Sequence, residues 1–388
     1  MFKKVKINYL SMLIFTFFIS FCLPNNFSKC IWIKSDSMKN KESIEDALIF
    51  AYEYGFDTVF LQVRYRGDAF YDSDIVPKHN LVSNNFDPLK YAITLGQSLG
   101  LEIHAWANTY ILWSANYKPT DLKHLYYTNP EWTESNIYGK SDSEIDISIP
   151  QSRNWEGVYL SPNHPEVNIY LKKVFVELIE KYDLDGLHLD YIRFQDDIYG
   201  YNEVGKENFI TEYGFDPIDI ERGIISTKYG WEKAEIDAMK NDWKDYKTMN
   251  ITNLVYSILS YIDNSDKEIK LSAAVKNDPM LSVEKWSQDW KSWLDNDIID
   301  FVVVMNYSPD LIDFYSKIED IRSEVNSDNF DKIIMGISVY NQDASSVSNK
   351  INVSHLYRFK GISLFSYDNK KDNIYWFDSI LDIFEKID

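Results

Sequence analysis

Eight short runs rich in β-branched and aromatic residues recur along the chain after residue 30, and a longer amphipathic stretch follows each of them. The runs cover residues 31–34, 58–64, 102–108, 186–193, 270–276, 301–307, 332–340 and 361–368. The amphipathic stretches cover about residues 41–54, 88–99, 165–182, 242–262, 281–293, 311–325, 344–357 and 375–386. Short strands that alternate with helices are typical of βα units around a parallel sheet. Because eight such units close a barrel, the sequence predicts an α/β fold of the (β/α)8, or TIM-barrel, type.

Two of the predicted strand-to-helix connections are long, at residues 109–164 after the third strand and 194–241 after the fourth. Both are rich in aromatic residues: Tyr110, Trp113, Tyr117, Tyr126, Tyr127, Trp132, Tyr138, Trp155 and Tyr159 in the first, and Tyr199, Tyr201, Phe209, Tyr213 and Trp231 in the second. In a barrel, these connections lie on the face that carries the active site. Flat rings can bind the apolar faces of sugars. The loops could therefore wall a cleft for an extended glycan, or the rings could simply pack on one another.

The charge balance narrows the possible partners. The chain has 60 acidic residues against 40 Lys and Arg, a formal net charge of -20, and no Lys/Arg-rich run after the N-terminus. Such a surface disfavours binding to the phosphates of nucleic acids or to anionic lipids, so a neutral or cationic partner fits better. Because glycine is scarce and we find no repeat or proline-rich linker, residues 30–388 are predicted to form one domain.

Residues 1–29 have the pattern of an export signal. The first six residues include three lysines, and residues 9–23 are almost wholly apolar. Since a stable transmembrane helix needs about 20 apolar residues, we expect cleavage or a marginal anchor rather than a spanning helix. Cys22 has the outline of a lipoprotein box, but Phe21 stands where a small residue is expected, so lipidation is the minor alternative. The protein is thus predicted to be exported and to meet a membrane only through this segment.

The fourth strand ends in reactive side chains. Within residues 185–193, leucines alternate with His188 and Asp190, and Arg193 follows. Because side chains alternate across a strand, His188 and Asp190 share one face while the leucines pack on the other. Buried charges need a partner or a task. Either an internal ion pair fixes the strand end, or Asp190, His188 and Arg193 take part in catalysis.

Polar residues at the other strand exits are expected to converge with Asp190 at one end of the barrel. We predict the following as substrate-binding residues: Arg64, Arg66, His104, Trp106, Asn108, Tyr191, Asn306, Tyr307, Tyr340 and Tyr367. Arginine forks can clamp a substrate anion or keep a neighbouring carboxylate ionised. We expect any single Asn or Tyr among them to form hydrogen bonds to another side chain rather than to be a reactive group.

Glycoside hydrolysis requires two carboxyl groups that flank the scissile bond. Asp190 is the first candidate, and Asp278 after the fifth strand is the best-placed second candidate. Asp310 and acids of the first long loop, such as Glu144, are the alternatives.

A metal site is the rival interpretation, because His188, Asp190 and His104 offer imidazole and carboxylate ligands. No two of the six histidines lie within five residues of each other, so the chain has no helical His pair. A serine nucleophile elbow and a Gly-rich phosphate loop are also absent from the sequence. The predicted site therefore includes neither a metal nor a cofactor.

Five ordered segments resemble the bacterial glycosyl hydrolase-like family 10. They are residues 55–68, 86–89, 100–108, 160–167 and 185–193, which read GFDTVFLQVRYRGD, FDPL, GLEIHAWAN, LSPNHPEV and DGLHLDYIR. The resemblance covers most of residues 31–307. It implies an exported or lipid-anchored (β/α)8 glycoside hydrolase that acts on glycans outside the cytoplasm, with a cell-wall, peptidoglycan-type glycan or a host polysaccharide as the substrate class.

The chain departs from that family's pattern at two strand ends. The sequence VKNDP at residues 275–279 replaces a small turn that contains Pro and Gly, and Asn306 and Tyr307 stand where Gln and a Tyr-Trp pattern are common. The seventh strand also lacks the terminal glutamate of the large two-glutamate barrel glycosidases, so their mechanism is not transferred. Two alternatives stay open: a glycan-binding barrel with weak or no catalysis, and a metal-dependent hydrolase.

Overall fold

The computed structural model describes residues 27–152 and 155–387. Its parallel barrel strands are β1 Ser28–Ile33, β2 Thr58–Tyr65, β3 Glu102–Asn108, β4 Gly186–Asp190, β5 Lys270–Val275, β6 Phe301–Met305, β7 Ile333–Ser338 and β8 Gly361–Phe365. Each strand pairs with its neighbour in chain order, and β1 pairs with both β8 and β2, which closes the cylinder. The predicted (β/α)8 barrel is confirmed.

The helices that follow these strands are α1 Lys41–Glu53, α2 Pro88–Leu99, α3 Pro165–Lys181, α4 Lys233–Asp263, α5 Pro279–Trp286, α6 Leu311–Glu324, α7 Ala344–Leu356 and α8 Asp378–Ile387. Two differ clearly from the prediction. Helix α4 begins at Lys233 rather than near residue 242, with a capping box at Glu232. The predicted helix 281–293 is split, because Ser287 takes a left-handed φ of 51° that ends α5 before a short helix Trp290–Asp295.

Side chains alternate between the inner and outer faces of each strand, so apolar residues form one layer inside the barrel and another between the barrel and the helices. Inside the barrel, the inward side chains that pack together are Cys30, Trp32, Phe60, Trp106, Phe301, Val303 and Ile334. A larger cluster fills the space between the strands and the helices, and Leu187 and Leu189 of β4 are fully buried in it. Strand β4 consequently directs His188 and Asp190 into the barrel.

The two long connections form a loop layer over the carboxyl ends of the strands. In the first, Ile111–Trp113 pairs antiparallel with Val158–Tyr159. The second contains helices Glu203–Tyr213 and Pro217–Glu221 and bonds to the first, for example through Ile137 N and Ile198 O at 2.8 Å. Many of the predicted platform rings are buried in this layer, including Tyr110, Tyr159 and Phe209, whereas Tyr117 and Tyr138 are exposed. Self-packing therefore accounts for many of these aromatics.

The predicted export signal falls almost entirely on residues 1–26, outside the described residues. Within the described part, no helix has both the length and the apolar character that crossing a bilayer requires.

Candidate active site

A cleft of about 590 Å³ opens at the carboxyl ends of the barrel strands. Its ionisable lining residues are Lys34, Asp36, Tyr65, Glu156, Asp190, Tyr191, Arg193, Lys276 and Tyr307. Aromatic rings from several strands and loops complete it: Trp32, Trp106, Trp286 and Phe365. In TIM barrels, this end of the cylinder is where catalytic groups converge.

Asp190 ends β4 on the floor of this cleft, as the sequence predicted. One carboxylate oxygen accepts a hydrogen bond from Trp106 Nε1 at 3.0 Å, and the other accepts one from the backbone N–H of Tyr191 at 2.7 Å. Burial raises the pKa of Asp190 to about 6, against the opposing effect of these hydrogen bonds. A carboxyl group with this pKa can give up or take a proton near neutral pH.

Tyr191, the next residue, takes a left-handed backbone with a φ of 51°. This conformation is costly for a residue with a side chain, and it turns the chain sharply out of the strand. The turn brings the ring of Tyr191 into the cleft and the guanidinium of Arg193 to 5.0 Å from the centre of that ring.

Arg193 forms a two-pronged ion pair with Glu156, in which Nη2 lies 2.8 and 3.1 Å from the two carboxylate oxygens. Glu156 also accepts a hydrogen bond from the hydroxyl of Tyr159. Burial disfavours ionisation of Glu156, but the Arg193 charge and the Tyr159 hydroxyl outweigh it, so its pKa lies below the usual range. Besides Asp190 and the exposed Asp36, which pairs with Lys39, the cleft thus contains a further carboxyl group, Glu156, which is held ionised.

Glu156 is not among the carboxyl groups predicted from the sequence. The predicted alternative from the same loop is Glu144, which is exposed in the short helix Asp142–Glu144. The position of Glu156 at the cleft depends on the next residue, Gly157. A Cβ at Gly157 would come within 2.4 Å of the Trp113 carbonyl oxygen. Only glycine lets the chain pass this close to Trp113 and bring Glu156 to the cleft.

Lys276, at the end of β5, was also missed. Its ammonium lies 4.6 Å from the centre of the Trp286 ring, and burial together with the nearby Arg193 lowers its pKa to about 8. The cleft wall thus contains Lys276 and Arg193 beside Glu156 and Asp190, so charges of both signs face the same space.

The predicted catalytic residue His188 lies below the cleft rather than in it. Its Nε2 accepts from Trp32 Nε1 at 3.3 Å, which leaves the proton on Nδ1 to be donated to Ser272 Oγ at 2.9 Å. Its ring stacks on Phe60 with 4.2 Å between centroids, and burial holds its pKa well below the usual value. A neutral, satisfied histidine in this position supports the floor of the cleft. His104 lies deeper still, 3.6 Å from Glu102 at the opposite end of the barrel.

Arg64 points away from the cleft, which corrects the prediction that it binds substrate. The register of β2 against β3 shifts between Gln62 and Arg64, so Arg64 pairs with the outward-facing Ala107. This bulge moves Arg64 to the helix side, where its Nη1 donates to the carbonyl oxygens of Asn108 and Thr109. The same shift turns Tyr65 into the cleft.

Asp278 is not brought to the cleft either, which corrects its assignment as the second catalytic carboxyl. Its side chain caps α5 by accepting from Leu281 N at 3.0 Å and pairs with Lys317 at 3.2 Å. Asp310, the other strand-exit candidate, likewise caps α6. Residues after a strand are often helix caps, and Asp is a preferred cap.

The remaining predicted residues divide into two groups. Trp106, Asn108, Tyr191 and Tyr307 line the cleft, and Gln62 Nε2 lies 3.4 Å from Asn108 Oδ1. Four others do not line it. Asn306 is buried and donates to Phe314 O, Tyr367 packs on Phe50, Arg66 donates to Ser114 Oγ, and Tyr340 is 51% exposed.

Among the residues the structure describes, no group of three or more His, Cys, Asp or Glu side chains is arranged to hold a metal ion. Two of the suggested ligands are far apart along the barrel axis. His104 lies near the amino end of β3, and Asp190 lies at the carboxyl end of β4.

The chain is similar to known glycoside hydrolases in sequence and fold. "Glycosyl hydrolase DigH" of Escherichia coli strain K12 is 23% identical over 291 residues, which cover 69% of this chain and 58% of that protein. "Glycosyl hydrolase YngK" of Bacillus subtilis is 27% identical over 164 residues, or 39% of this chain and 27% of the relative. The chain thus spans less than two thirds of the length of either relative.

Solved structures share the fold at low identity. The glycoside hydrolase domain of PgaB (BpsB) from Bordetella bronchiseptica superposes with a TM-score of 0.68 and 13% identity, covering 92% of this chain and 98% of that one. The catalytic domain of β-amylase from Paenibacillus polymyxa gives a TM-score of 0.54 and 12% identity, covering 90% and 94%. The family model of glycosyl hydrolase-like 10 matches residues 21–354. Since that match extends from the first barrel strand into the seventh helix, the chain belongs to the glycosyl hydrolase-like 10 family.

Proposed function

We propose that this protein is an exported glycosidase that cleaves O-glycosidic bonds in an extracellular or cell-wall polysaccharide. One observation carries the proposal: Asp190 and Glu156 line the same cleft, and their pKa values are displaced in opposite directions. Pairs of carboxyl groups with separated pKa values are characteristic of sites where one group acts as an acid and the other stays ionised. Membership of a glycosyl hydrolase-like family supports a glycosidase-type function.

In the proposed reaction, Asp190 gives its proton to the glycosidic oxygen as the bond from that oxygen to the anomeric carbon breaks. Positive charge then develops at the sugar ring, and the Glu156 carboxylate stabilises it. Glu156 either attacks the anomeric carbon or accepts a proton from a water molecule that attacks it. In the first route, a water molecule that gives its proton to the now ionised Asp190 then attacks the anomeric carbon and releases the sugar from Glu156. The anomer of the product distinguishes the two routes. Arg193 keeps Glu156 ionised and fixes its orientation.

The lining of the cleft suits a sugar chain. Trp106, Tyr307 and Phe365 present rings to its interior, and Asn108 adds a polar group for hydroxyl contacts. The net charge of -20 favours a neutral or cationic glycan over a strongly acidic polymer. We propose a peptidoglycan-type glycan as the first substrate to test, because the predicted export signal would bring the protein to the cell envelope.

The test is reducing-end release from purified bacterial cell-wall glycan strands and from a panel of other polysaccharides. We expect Asp190→Asn and Glu156→Gln each to lower kcat by about 10²–10⁴-fold, the usual contribution of a catalytic acid or base. The matched control is Asp278→Asn, which changes a strand-exit aspartate that lies outside the cleft and keeps its helix-capping ability. This variant should stay within about twofold of the unchanged protein.

Two results would contradict the proposal. Full activity in Asp190→Asn would exclude the proposed acid. Glycan binding without any reducing-end release from the whole panel would instead identify a glycan-binding barrel, for which the locked Glu156–Arg193 pair would be a structural feature.

A further inference from the structure

A pair of fully buried acids, Glu134 and Asp142, lies in the first long loop, outside the cleft lining. The two oxygens of Asp142 bind two different donors. Oδ1 accepts from Trp155 Nε1 at 3.3 Å, and Oδ2 accepts from the backbone N–H of Tyr159 at 2.9 Å. These donors stand on either side of Glu156 in the sequence, so one carboxylate holds the chain both before and after the cleft acid.

Backbone bonds fix Asp142 itself in place. Its N–H donates to Glu134 O at 2.8 Å, and the N–H of Glu134 donates to Tyr159 O at 2.8 Å. The hydroxyl of Tyr159 in turn donates to Glu156, which pairs with Arg193. A continuous chain of hydrogen bonds therefore runs from Asp142 through Tyr159 to the cleft.

We propose that Asp142 is a positioning residue that holds Glu156 in the cleft by binding the polypeptide on both sides of it. Asp142 does not line the cleft, and it acts through Tyr159 and Trp155. The inference rests on the proposed function for the role of Glu156, while the clamp itself is a property of the fold.

The protonation state of Asp142 matters to this clamp. Burial raises its pKa to about 7. The charged and titratable groups around it are Glu134, whose pKa burial raises to about 8, together with Lys140, Tyr199 and the buried Lys247, which faces Glu134. The ionised carboxylate is the better acceptor for both donors. The clamp is accordingly tightest above neutral pH and weakens as Asp142 takes up a proton.

The test compares Asp142→Asn with Glu134→Gln in the full chain. Both substitutions neutralise a fully buried acid of the same loop, but of the two side chains only that of Asp142 binds the segment around Glu156, since Glu134 bonds to Tyr159 through its backbone N–H. We expect Asp142→Asn to lower kcat on the cleaved glycan by about 10–100-fold, in line with the cost of a small misplacement of a catalytic group, with KM changed by less than about threefold. In this variant, kcat should also no longer fall as the pH drops through about 7, because residue 142 no longer takes up a proton there. Glu134→Gln should change kcat by less than about threefold.

Hydrogen exchange measured by mass spectrometry provides a readout that does not need activity. The segment 155–159 should exchange at least about tenfold faster in Asp142→Asn, because the Tyr159 amide loses its acceptor or meets a repelling amide group, and at an unchanged rate in Glu134→Gln. If Asp142→Asn fails to fold, Trp155→Phe removes one donor and should give a smaller effect in the same direction on both kcat and exchange.

The outcomes separate this inference from the proposed function. Unchanged exchange of segment 155–159 in Asp142→Asn would overturn the clamp, and faster exchange with an unchanged kcat would overturn the positioning role of Asp142. If the unchanged protein cleaves no glycan, the proposed function fails, and the exchange data alone then decide whether Asp142 holds the Glu156 segment.

Discussion

Asp190 owes its proton affinity to two opposed effects, burial and hydrogen bonding. Burial raises its pKa, and the Tyr191 N–H and Trp106 Nε1 bonds to its two oxygens limit the rise. A donor to the charged form of an acid favours that form, so removing one donor raises the pKa further.

Trp106→Phe tests this balance at the level of a single residue. The change deletes the Nε1 donor while keeping an aromatic ring in the cleft. We expect the alkaline-side pKa in the pH profile of kcat/KM, at which Asp190 loses the proton that it donates, to rise by about half a unit to one unit. The control is Trp243→Phe, which changes a buried ring outside the cleft and should leave the pKa values of the kcat/KM profile unchanged. A profile that moves to lower pH in Trp106→Phe would contradict the assignment of Asp190.

For single residues, the sequence predicted which way a side chain points from its strand better than it predicted what the side chain contacts. His188 and Asp190 point into the barrel because strand alternation is local and regular. Arg64 was predicted on the same basis and lies on the wrong side, because the register shift at Val63 exchanges inside and outside for the residues that follow. Nothing in the local sequence distinguishes a bulged strand end from a regular one.

The strands of this barrel are joined in pairs by aspartates at their amino ends. Asp57 before β2, Asp185 before β4 and Asp300 before β6 accept backbone N–H groups from the preceding strands: Lys29 in β1 at 2.8 Å, Ile103 in β3 at 2.7 Å and Leu271 in β5 at 2.6 Å. The face opposite the cleft thus has a repeated stabilising contact. In TIM barrels, residues at this end serve stability rather than catalysis.

Asp185→Ala should therefore destabilise the fold without changing the reaction. Loss of the acceptor leaves the Ile103 N–H without its partner, and we expect the free energy of unfolding to fall by about 1–3 kcal/mol. Urea denaturation measures this change, and KM and kcat at 25 °C should stay as they are. The control is Asp183→Ala, which removes an exposed acid two residues earlier and should cost less than about 0.5 kcal/mol. Equal losses in the two variants would refute the role assigned to Asp185.

Whole-molecule stability should depend on pH through the buried acids. Burial raises the pKa of Asp68 and Asp142 to about 7, of Glu134 to about 8 and of Asp190 to about 6. Carboxyl groups in the unfolded chain ionise near pH 4. Between pH 6.5 and pH 8 the folded protein therefore binds more protons than the unfolded chain, so its stability is greater at the lower pH and is lost as the pH rises through these values.

We expect the free energy of unfolding to fall by about 1–2 kcal/mol from pH 6.5 to pH 8. Burial lowers the pKa of Lys276 and Lys350 to about 8, so these groups oppose part of the effect of the acids in this range. Below pH 6.5 the buried histidines act in the opposite sense, since burial lowers the pKa of His124 to about 4 and the unfolded chain then binds the extra proton. Urea titrations at several pH values measure the trend, and Glu134→Gln should make it shallower between pH 7 and pH 8. A stability that rises between pH 6.5 and pH 8 would show that these acids are ionised more easily than their burial implies.

The sequence by itself determined the barrel and the identity of one cleft acid. Both follow from local patterns, because eight alternations of strand and helix allow few closed arrangements and a polar residue at the end of a buried strand must reach the carboxyl face. The tertiary structure decided the second acid. Glu156 and Arg193 are 37 residues apart, and they meet where Gly157 lets the loop pass close to Trp113 and where Asp142 binds the chain on both sides of Glu156. Contacts of this kind depend on the path of a long loop, which no local periodicity encodes.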